Sequence, residues 1–594
     1  MSFTTRPELK GTYGMVASTH WLASAVGMRL LERGGNAYDA GAAMGFVLHV
    51  VEPHLNGPFG DMPALIRPAD AAAPTVVCGQ GTAPAGATID HYHSEGLTLI
   101  PGSGLLATVI PGAFDAWMLI LRDHGKLPLR DVLEPAIHYA RAGHPILPRA
   151  AATIAGLADF FRTEWPTSAQ TWLPGGNAPV ADTLFCNPAL ADMWERLLTE
   201  VEAETSRTAQ IDAARRIFSQ GFIAEAIDGY LRDACVMDAA GGRRKGVLTG
   251  QDMATWQASY EAPLSTTTQG LTVWKAGGWS QGPSLLQTLN ILDGIDIDPT
   301  DTAGFAHVVT EALKLSMADR EAYYGDPAFH DLPMDHLLSK DYAVQRRAQI
   351  GPMASDTLRP GAIPGYEAWA EAAIARSKVQ NIPGPSMGAG EPTMAHLTER
   401  RGDTVHIDVV DRWGNMISAT PSGGWLQSSP VIPGLGVPLN SRAQMFWLKE
   451  GLATSLTPGA RPRTTLSPSM SEHENGTRMA FGTPGGDQQD QWQTIFLMRL
   501  LHQSLNLQAA IDAPLFHTAH LQASFYPRNL RPAHLTIEPS AGAEAIAALT
   551  ARGHRVEVSD PWAIGRLSAV SRQADGLLRG AATPRLMQAY AIGR

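Results

Sequence analysis

The sequence predicts an α+β protein, on three observations. Apolar residues recur at intervals of three and four in several long stretches, beginning with residues 22–33, which is the periodicity of an amphipathic helix. Apolar and polar residues alternate in other stretches, most clearly after Thr404, which is typical of a strand. Strands and helices do not alternate regularly along the chain, as they would in a doubly wound parallel sheet.

The N-terminal elements are predicted to be a short strand and two helices. Residues 14–19 predict the strand and residues 22–33 the first helix. Its apolar face and its C-cap are formed by Leu22, Val26, Leu30, Leu31, Gly34 and Gly35. Asn36 then caps a second helix over residues 37–51, whose many alanines and glycines predict close approach of a neighbouring element.

The central region is predicted to be mostly helical. Helical periodicity dominates residues 105–260 and returns over residues 305–324 and 337–350. Residues 355–403 are rich in proline, glycine and charged side chains. We therefore expect a poorly structured, mobile linker there.

Histidines and cysteines give no metal site or disulfide framework. His91 and His93 would lie on one side of a strand, but no third ligand is evident nearby, so a solvated loop is the preferred interpretation. Cys78, Cys186 and Cys235 are widely spaced and odd in number. We interpret all three cysteines as packing residues.

A β-hairpin is predicted immediately after the linker. Val405, Ile407 and Val409 alternate on one face, residues 411–415 supply the turn, and residues 416–420 begin the return strand. A strand that opens so abruptly on threonine suggests that the chain is cut just before it, between Asp403 and Thr404.

Such a cut would give Thr404 the chemistry of a nucleophile. A threonine hydroxyl reacts poorly unless a base lies within hydrogen-bond reach. The new α-amine of Thr404 would supply that base from the same residue, because free α-amines titrate near pH ~8.

The C-terminal region is predicted to close the core by ordinary packing. Helices are expected over residues 505–513, stopped by Pro514, and over residues 541–552. Residues 555–558 and 567–571 predict strands.

Composition argues against nucleic acid and anionic membranes as partners. Lysine plus arginine number 46 against 57 aspartates plus glutamates, a net charge of -11, and no long basic run occurs. The start of the sequence lacks the apolar segment of a signal peptide, and no apolar run approaches the roughly 20 residues of a spanning helix. A cytoplasmic protein is the default expectation.

Five stretches, in order along the chain, resemble the γ-glutamyltransferase family of N-terminal-nucleophile hydrolases. They are residues 34–40 with 51–54, residues 283–287, residues 404–415, residues 463–468 and residues 482–486. The resemblance implies a four-layer αββα sandwich. It also implies a large subunit, residues 1–403, and a small subunit, residues 404–594, which together form one composite domain.

The resemblance implies four catalytic residues and a cleavage site between Asp403 and Thr404. Thr404 would be the nucleophile. Ser422 falls where relatives have a threonine whose hydroxyl bonds the nucleophile. Gly485 and Gly486 match the glycines whose N–H groups form the oxyanion hole, where each donor contributes about 3 kcal/mol.

The positions that read the substrate differ from the family pattern. Gln80 replaces an arginine that holds the substrate carboxylate, Gly424 replaces an asparagine that touches it, and Met445 replaces an acid that binds the ammonium group. Thr464 and Thr465 replace a pair of serines. We infer that acyl-transfer chemistry is retained with a changed acyl pocket.

The expected function is self-processing followed by cleavage of a small amide through a threonine acyl-enzyme. The substrate would be an amide that carries a carboxylate, which Arg442 or Arg463 could meet. No metal or organic cofactor is implied, and assembly into a homo-oligomer stays open.

Three alternatives remain. The first is a conventional γ-glutamyltransferase or glutathione hydrolase. The second is a serine hydrolase, because residues 278–282 fit the G-x-S-x-G pattern around Ser280 between a strand and a helix. The third is a non-catalytic binding protein on the same fold.

Overall fold

Two large antiparallel sheets form the centre of the computed structural model, which describes residues 3–379, 404–587 and 589–594. The strands are β1 (Leu9–Gly11), β2 (Gly14–Ser18), β3 (Ala64–Arg67), β4 (Thr75–Cys78), β5 (His144–Pro145), β6 (Leu184–Phe185), β7 (Cys235–Met237), β8 (Arg243–Lys245), β9 (Ser259–Glu261), β10 (Leu264–Thr268), β11 (Leu271–Lys275), β12 (Ile407–Asp411), β13 (Met416–Ala419), β14 (Ser469–His473), β15 (Arg478–Gly482), β16 (Phe516–His517), β17 (His534–Ile537), β18 (Arg555–Val558), β19 (Ser568–Arg572), β20 (Leu578–Ala582) and β21 (Tyr590–Gly593).

The helices flank these sheets. They are α1 (Trp21–Glu32), α2 (Ala37–Val51), α3 (Ile89–Ser94), α4 (Ala113–His124), α5 (Leu129–Ala142), α6 (Pro148–Thr163), α7 (Pro166–Trp172), α8 (Pro188–Val201), α9 (Arg207–Gln220), α10 (Phe222–Asp233), α11 (Gly250–Thr255), α12 (Pro283–Leu292), α13 (Thr302–Tyr323), α14 (Met334–Leu337), α15 (Lys340–Arg347), α16 (Glu367–Val379), α17 (Gln489–His502), α18 (Leu507–Asp512) and α19 (Ala543–Ala551).

The strand order mixes distant parts of the chain. Sheet A has the order β1-β20-β19-β15-β14-β11-β10, and sheet B has the order β21-β2-β12-β13-β3-β4-β9. The hairpin β12-β13 lies at the middle of sheet B, with Val409 opposite both Val16 of β2 and Ile417 of β13. The segment after residue 403 therefore supplies strands to both sheets.

Alternation along β12 fills two separate apolar layers. Val409 belongs to the core between sheet B and helices α1 and α2, whereas Val410 belongs to the core between the two sheets. A third core, which includes Phe481 and Leu285, lies between sheet A and the helices on its outer face. Helix, sheet, sheet and helix layers confirm the αββα sandwich that the family resemblance implies.

The predicted N-terminal helices and the hairpin are confirmed. Asn36 accepts hydrogen bonds from the N–H groups of Tyr38 and Asp39, and Asp39 accepts one from Asn36, which completes a capping box at the start of α2. A Cβ atom added at Gly45 would lie 2.5 Å from the Trp117 ring, so the small residues of α2 do allow close packing.

Two sequence-based interpretations are wrong. Residues 89–94 form helix α3 rather than a strand or solvated loop, because Thr88 caps the segment through the N–H of His91. Cys78 is buried, but Cys186 and Cys235 are exposed and are not packing residues. Cys186 follows β6 and Cys235 begins β7, and both strands belong to two-stranded sheets.

The predicted linker over residues 355–403 is described only as far as residue 379. Within that part, residues 367–379 form α16, whose alanines and glutamates are strong helix formers. Arg376 of α16 donates to Glu321 of α13 at 3.0 Å, so this half of the segment is anchored rather than unstructured. Residues 380–403, including Asp403, lie outside the described residues. Among the described helices, none is long and apolar enough to span a membrane.

Candidate active site

Three residues from distant parts of the chain lie side by side at one end of sheet B. Thr404 and Asp61 each form an antiparallel bridge with Ser422, on opposite sides of it. The N–H and carbonyl groups of Ser422 pair with those of Asp61 at 2.9 Å each. The Thr404 and Ser422 hydroxyl oxygens lie 3.1 Å apart, and all three residues are buried.

A buried polar network fixes the strand that carries Thr404. The His406 imidazole lies 2.9 Å from the Thr420 hydroxyl through Nδ1 and 2.9 Å from Asp408 through Nε2. Asp408 also accepts a hydrogen bond from Ser568 of sheet A at 2.8 Å. His406 lies two residues after Thr404 in the matched stretch 404–415, but the sequence analysis assigned it no role.

Gly485 and Gly486 form a tight loop between β15 and α17. Gly485 has φ +125° and Gly486 has φ +54°, and a Cβ atom at Gly485 would lie 2.3 Å from the Trp492 ring. Gln281 donates to the Gly486 carbonyl at 3.1 Å. Glycine is therefore required at residue 485, and the loop conformation is held by side chains.

Asp487 ties that loop to the protein core. Its carboxylate pairs with Arg320 at 2.5 Å and accepts hydrogen bonds from the N–H and hydroxyl of Ser524 at 2.9 and 2.6 Å. These contacts hold the backbone of the loop in one conformation.

The positions that are expected to differ from the family pattern carry uncharged side chains. Met445 packs with Trp425 and Phe525 in a small buried apolar cluster. Gly424 has φ +64°, and a Cβ atom there would lie 3.0 Å from the Gly60 nitrogen, so it forms a backbone contact with the 57–60 loop. Met445 is therefore part of an apolar cluster rather than a polar contact.

The other predicted pocket residues are all buried. Gln80 donates to the Gly81 carbonyl at 3.1 Å. Thr464 pairs through its N–H with the Trp279 carbonyl at 2.8 Å, and Thr465 follows it.

Asp61 is a charged residue beside Ser422 that the sequence analysis did not identify. Arg442 donates to Asp61 Oδ1 at 2.9 Å, and its guanidinium lies 5.1 Å from the centre of the Trp425 ring. Burial raises the pKa of Asp61, and the Arg442 charge opposes this shift.

Arg463 is committed to a different network. It donates to Glu321 at 3.1 Å and to the Ser524 hydroxyl at 2.9 Å. Burial opposes ionisation of Glu321, but the charges of Arg463 and Arg376 outweigh it and lower the pKa of Glu321 to about 2. Two arginines were expected to meet a substrate carboxylate. Of these, Arg442 is the one beside the row formed by Thr404, Ser422 and Asp61.

Ser280 has the strand and helix of a nucleophile elbow but not its chemistry. Its hydroxyl donates to the Gly277 carbonyl at 3.0 Å and accepts from the Gly282 N–H at 3.1 Å. Over the described ranges, no imidazole is hydrogen-bonded to it. The hydroxyl stabilises its own turn instead.

One cluster has the donor set of a metal site: His307, Glu311 and His554 are buried with ligand atoms within 4.8 Å of one another. The two rings are already hydrogen-bonded to each other at 2.9 Å. Glu311 is bound by Lys314 at 2.6 Å and by Arg359 at 3.1 Å. These two cations would compete with a metal ion for the Glu311 carboxylate.

Comparison with known proteins finds similarity along almost the whole chain. Residues 23–593 match the gamma-glutamyltranspeptidase family model. The chain is 31% identical to the glutathione hydrolase-like YwrD proenzyme of Bacillus subtilis (strain 168), with 97% of both chains covered. The solved structure of LmbA2991HD is 50% identical with a TM-score of 0.92, over 100% of both chains. Cephalosporin acylase from Bacillus halodurans is 27% identical with a TM-score of 0.82, over 100% of this chain and 97% of that one.

Proposed function

The chain belongs to the gamma-glutamyltranspeptidase family, and on that premise we propose that it is a self-processing threonine amidohydrolase or acyltransferase with a pocket altered away from the γ-glutamyl group. The observation that carries the proposal is the 3.1 Å contact between the Thr404 and Ser422 hydroxyls in a buried row of sheet B. A relative named as a proenzyme and another named as an acylase support self-processing and amide cleavage.

Processing would proceed by an N-to-O acyl shift. Thr404 Oγ attacks the Asp403 carbonyl carbon, the peptide C–N bond breaks, and the nitrogen leaves as the α-amine of Thr404. Water then hydrolyses the resulting ester, which releases the carboxylate of Asp403 and restores the Thr404 hydroxyl. Residues 1–403 and 404–594 would become large and small subunits of one composite domain.

Turnover would use the same hydroxyl and the newly formed amine. The α-amine accepts the proton of Thr404 Oγ as that oxygen attacks the substrate carbonyl, and returns it to the departing amine. N–H groups of Gly485 and Gly486 would stabilise the oxyanion, and the Ser422 hydroxyl would orient Thr404 Oγ. Water or a second amine then takes the acyl group.

The substrate that best suits the pocket is a small amide with a carboxylate on its acyl chain. Arg442 lies beside the row, and a guanidinium is well suited to recognise a carboxylate. The conventional γ-glutamyl alternative also gains support from this pair, because Asp61 and Arg442 together offer one group of each charge.

The first test is a denaturing gel with intact-mass analysis of the wild type beside Thr404→Ala. We expect two wild-type fragments with a new N-terminus at Thr404, and a single uncut mutant chain. Ser280→Ala serves as the control and should still be cut. An uncut wild type after long incubation would remove the α-amine base, and with it the proposed mechanism.

The second test compares glutaryl-p-nitroanilide with butyryl-p-nitroanilide, which differ only in the terminal carboxylate. The wild type should release p-nitroaniline faster from the glutaryl compound, and Arg442→Gln should reduce that preference by about tenfold. Equal preference in both proteins would assign the carboxylate contact elsewhere.

A further inference from the structure

Asp61 lies on the same face as the reactive hydroxyl. In antiparallel pairs, residues directly opposite each other project their side chains to the same side of the sheet. Ser422 is paired with Thr404 on one side and with Asp61 on the other, so all three side chains point together. With strands about 4.8 Å apart, Asp61 lies roughly 10 Å from Thr404 across Ser422.

One carboxylate oxygen of Asp61 lacks a donor. Oδ1 accepts the Arg442 guanidinium at 2.9 Å, whereas Oδ2 is buried and accepts no hydrogen bond among the residues that the structure describes. Thr464 lies near enough to help lower the pKa of Asp61, yet it does not complete a hydrogen bond to Oδ2. An unsatisfied buried carboxylate oxygen is costly, and a bound donor removes that cost.

Asp61 is the acidic residue that could take over binding of a substrate ammonium group. Met445 stands at the position of the family acid and packs against Trp425 and Phe525. The Trp425 ring lies beneath Arg442, so the apolar wall and the Asp61–Arg442 pair are continuous. A substrate chain that extends from Thr404 along this row would reach Asp61 at its far end.

We propose that Asp61 is a specificity-determining residue, whose free carboxylate oxygen binds an ammonium group at the far end of the substrate's acyl chain. This inference rests on the proposed function. Thr404 and Asp61 are about two strand spacings apart, which suits a short acyl chain. The distance from Thr404 Oγ to the substrate carbonyl, the length of the chain and one hydrogen bond to Asp61 together span roughly 10 Å.

The test compares 4-aminobutyryl-p-nitroanilide with butyryl-p-nitroanilide, which differ only in the terminal ammonium. The wild type should prefer the 4-aminobutyryl compound in kcat/KM. Asp61→Asn preserves the shape of the side chain and removes its charge, so it should lower that preference by about tenfold or more. Hydrolysis of the butyryl compound by the same variant measures any general effect on Thr404, and the preference is the ratio of the two kcat/KM values.

A second buried aspartate, which also pairs with an arginine, provides the matched control. Asp115 is buried and pairs with Arg215 at 2.6 Å, as Asp61 pairs with Arg442. Asp115→Asn should leave the substrate preference unchanged. An unchanged preference in Asp61→Asn, or a wild type that turns over both anilides equally, would overturn the inference.

Failure of the proposed function can be recognised separately. Self-cleavage on the gel and release of p-nitroaniline from the butyryl compound report on Thr404, not on Asp61. Calorimetric binding of 4-aminobutyrate, with butyrate as reference, tests Asp61 without any turnover. Binding that is equal for the two acids in the wild type would overturn the inference even if every anilide were inert.

Discussion

At the scale of single residues, the Ser422 hydroxyl is the group whose removal best tests the environment of the nucleophile. It lies 3.1 Å from the Thr404 hydroxyl, so Ser422→Ala should slow both self-cleavage and amide hydrolysis by about tenfold. Ser422→Thr keeps the hydroxyl and should retain most activity. Rates of precursor loss on a gel and of p-nitroaniline release measure the two effects. Full activity in Ser422→Ala would remove Ser422 from the mechanism.

Single residues also show where prediction from sequence stops. The roles proposed for Thr404, Ser422, Gly485 and Gly486 were predicted from the family resemblance, which compares stretches of local sequence. Asp61 was not, because its role depends on pairing with Ser422, a residue far away along the chain. A long-range backbone pairing leaves no spacing that a sequence pattern can detect.

At the scale of elements, the turn of the central hairpin depends on one carboxylate. Asp411 accepts hydrogen bonds from the N–H groups of Trp413, Gly414 and Asn415 at 2.9, 3.0 and 3.0 Å, and from the N–H of Ala37 at the start of α2. We expect Asp411→Ala to lower the free energy of unfolding by about 3 kcal/mol, since buried donors would lose their partner.

The matched control for this prediction is Asp575→Ala. Asp575 caps the exposed turn between β19 and β20 through one hydrogen bond, from the Leu577 N–H at 3.0 Å. Asp575→Ala should lower the free energy of unfolding by less than about 1 kcal/mol. Urea denaturation of both variants in the uncut Thr404→Ala background measures the difference, and equal losses would contradict the assigned role of Asp411.

Helices and strands were predicted well where apolar residues repeat at a regular spacing. They were predicted less well where the composition of a long segment was considered as a whole. The helices α1 and α2 and the hairpin followed from spacing and capping residues. Helix α16 did not, because its alanines and glutamates were grouped with the proline-rich and glycine-rich remainder of residues 355–403. Its anchor, the pair of Arg376 with Glu321, is a tertiary contact that composition cannot show.

At the scale of the whole molecule, the two proposed subunits share both sheets. Sheet B alternates between strands from before and after residue 403, with β2 lying between β21 and β12. The cut fragments should therefore co-elute in size exclusion at the same volume as the uncut Thr404→Ala protein. They should separate only in denaturant. Fragments that separate under native conditions would contradict this arrangement.

The pH dependence of stability provides a second test of the whole molecule. Burial raises the pKa of Glu52 from 4.5 to about 7, despite a 2.6 Å hydrogen bond from Thr19. The folded state therefore retains a proton that the unfolded state loses, and the contribution of Glu52 to the free energy of unfolding decreases as pH rises from 4.5 to about 7. The loss is about 3 kcal/mol at most.

Glu52→Gln removes this titration and should be more stable than its parent at pH values above 7, with the difference shrinking toward pH 4.5. Thermal denaturation of both proteins in the Thr404→Ala background, across that pH range, measures the difference. A constant difference at every pH would show that Glu52 does not titrate in this range.

The two ends of the described chain lie against each other, since the Thr12 and Tyr13 N–H groups donate to the Arg594 carbonyl at 3.1 and 2.7 Å. A linker of about ten residues could therefore join residue 594 to the first residues of the chain. A circularly permuted gene could then begin at Thr404, with only an initiator methionine to remove. Such a chain would present the free α-amine of Thr404 without cutting itself. Its activity would separate the chemistry of turnover from the chemistry of maturation in a single molecule.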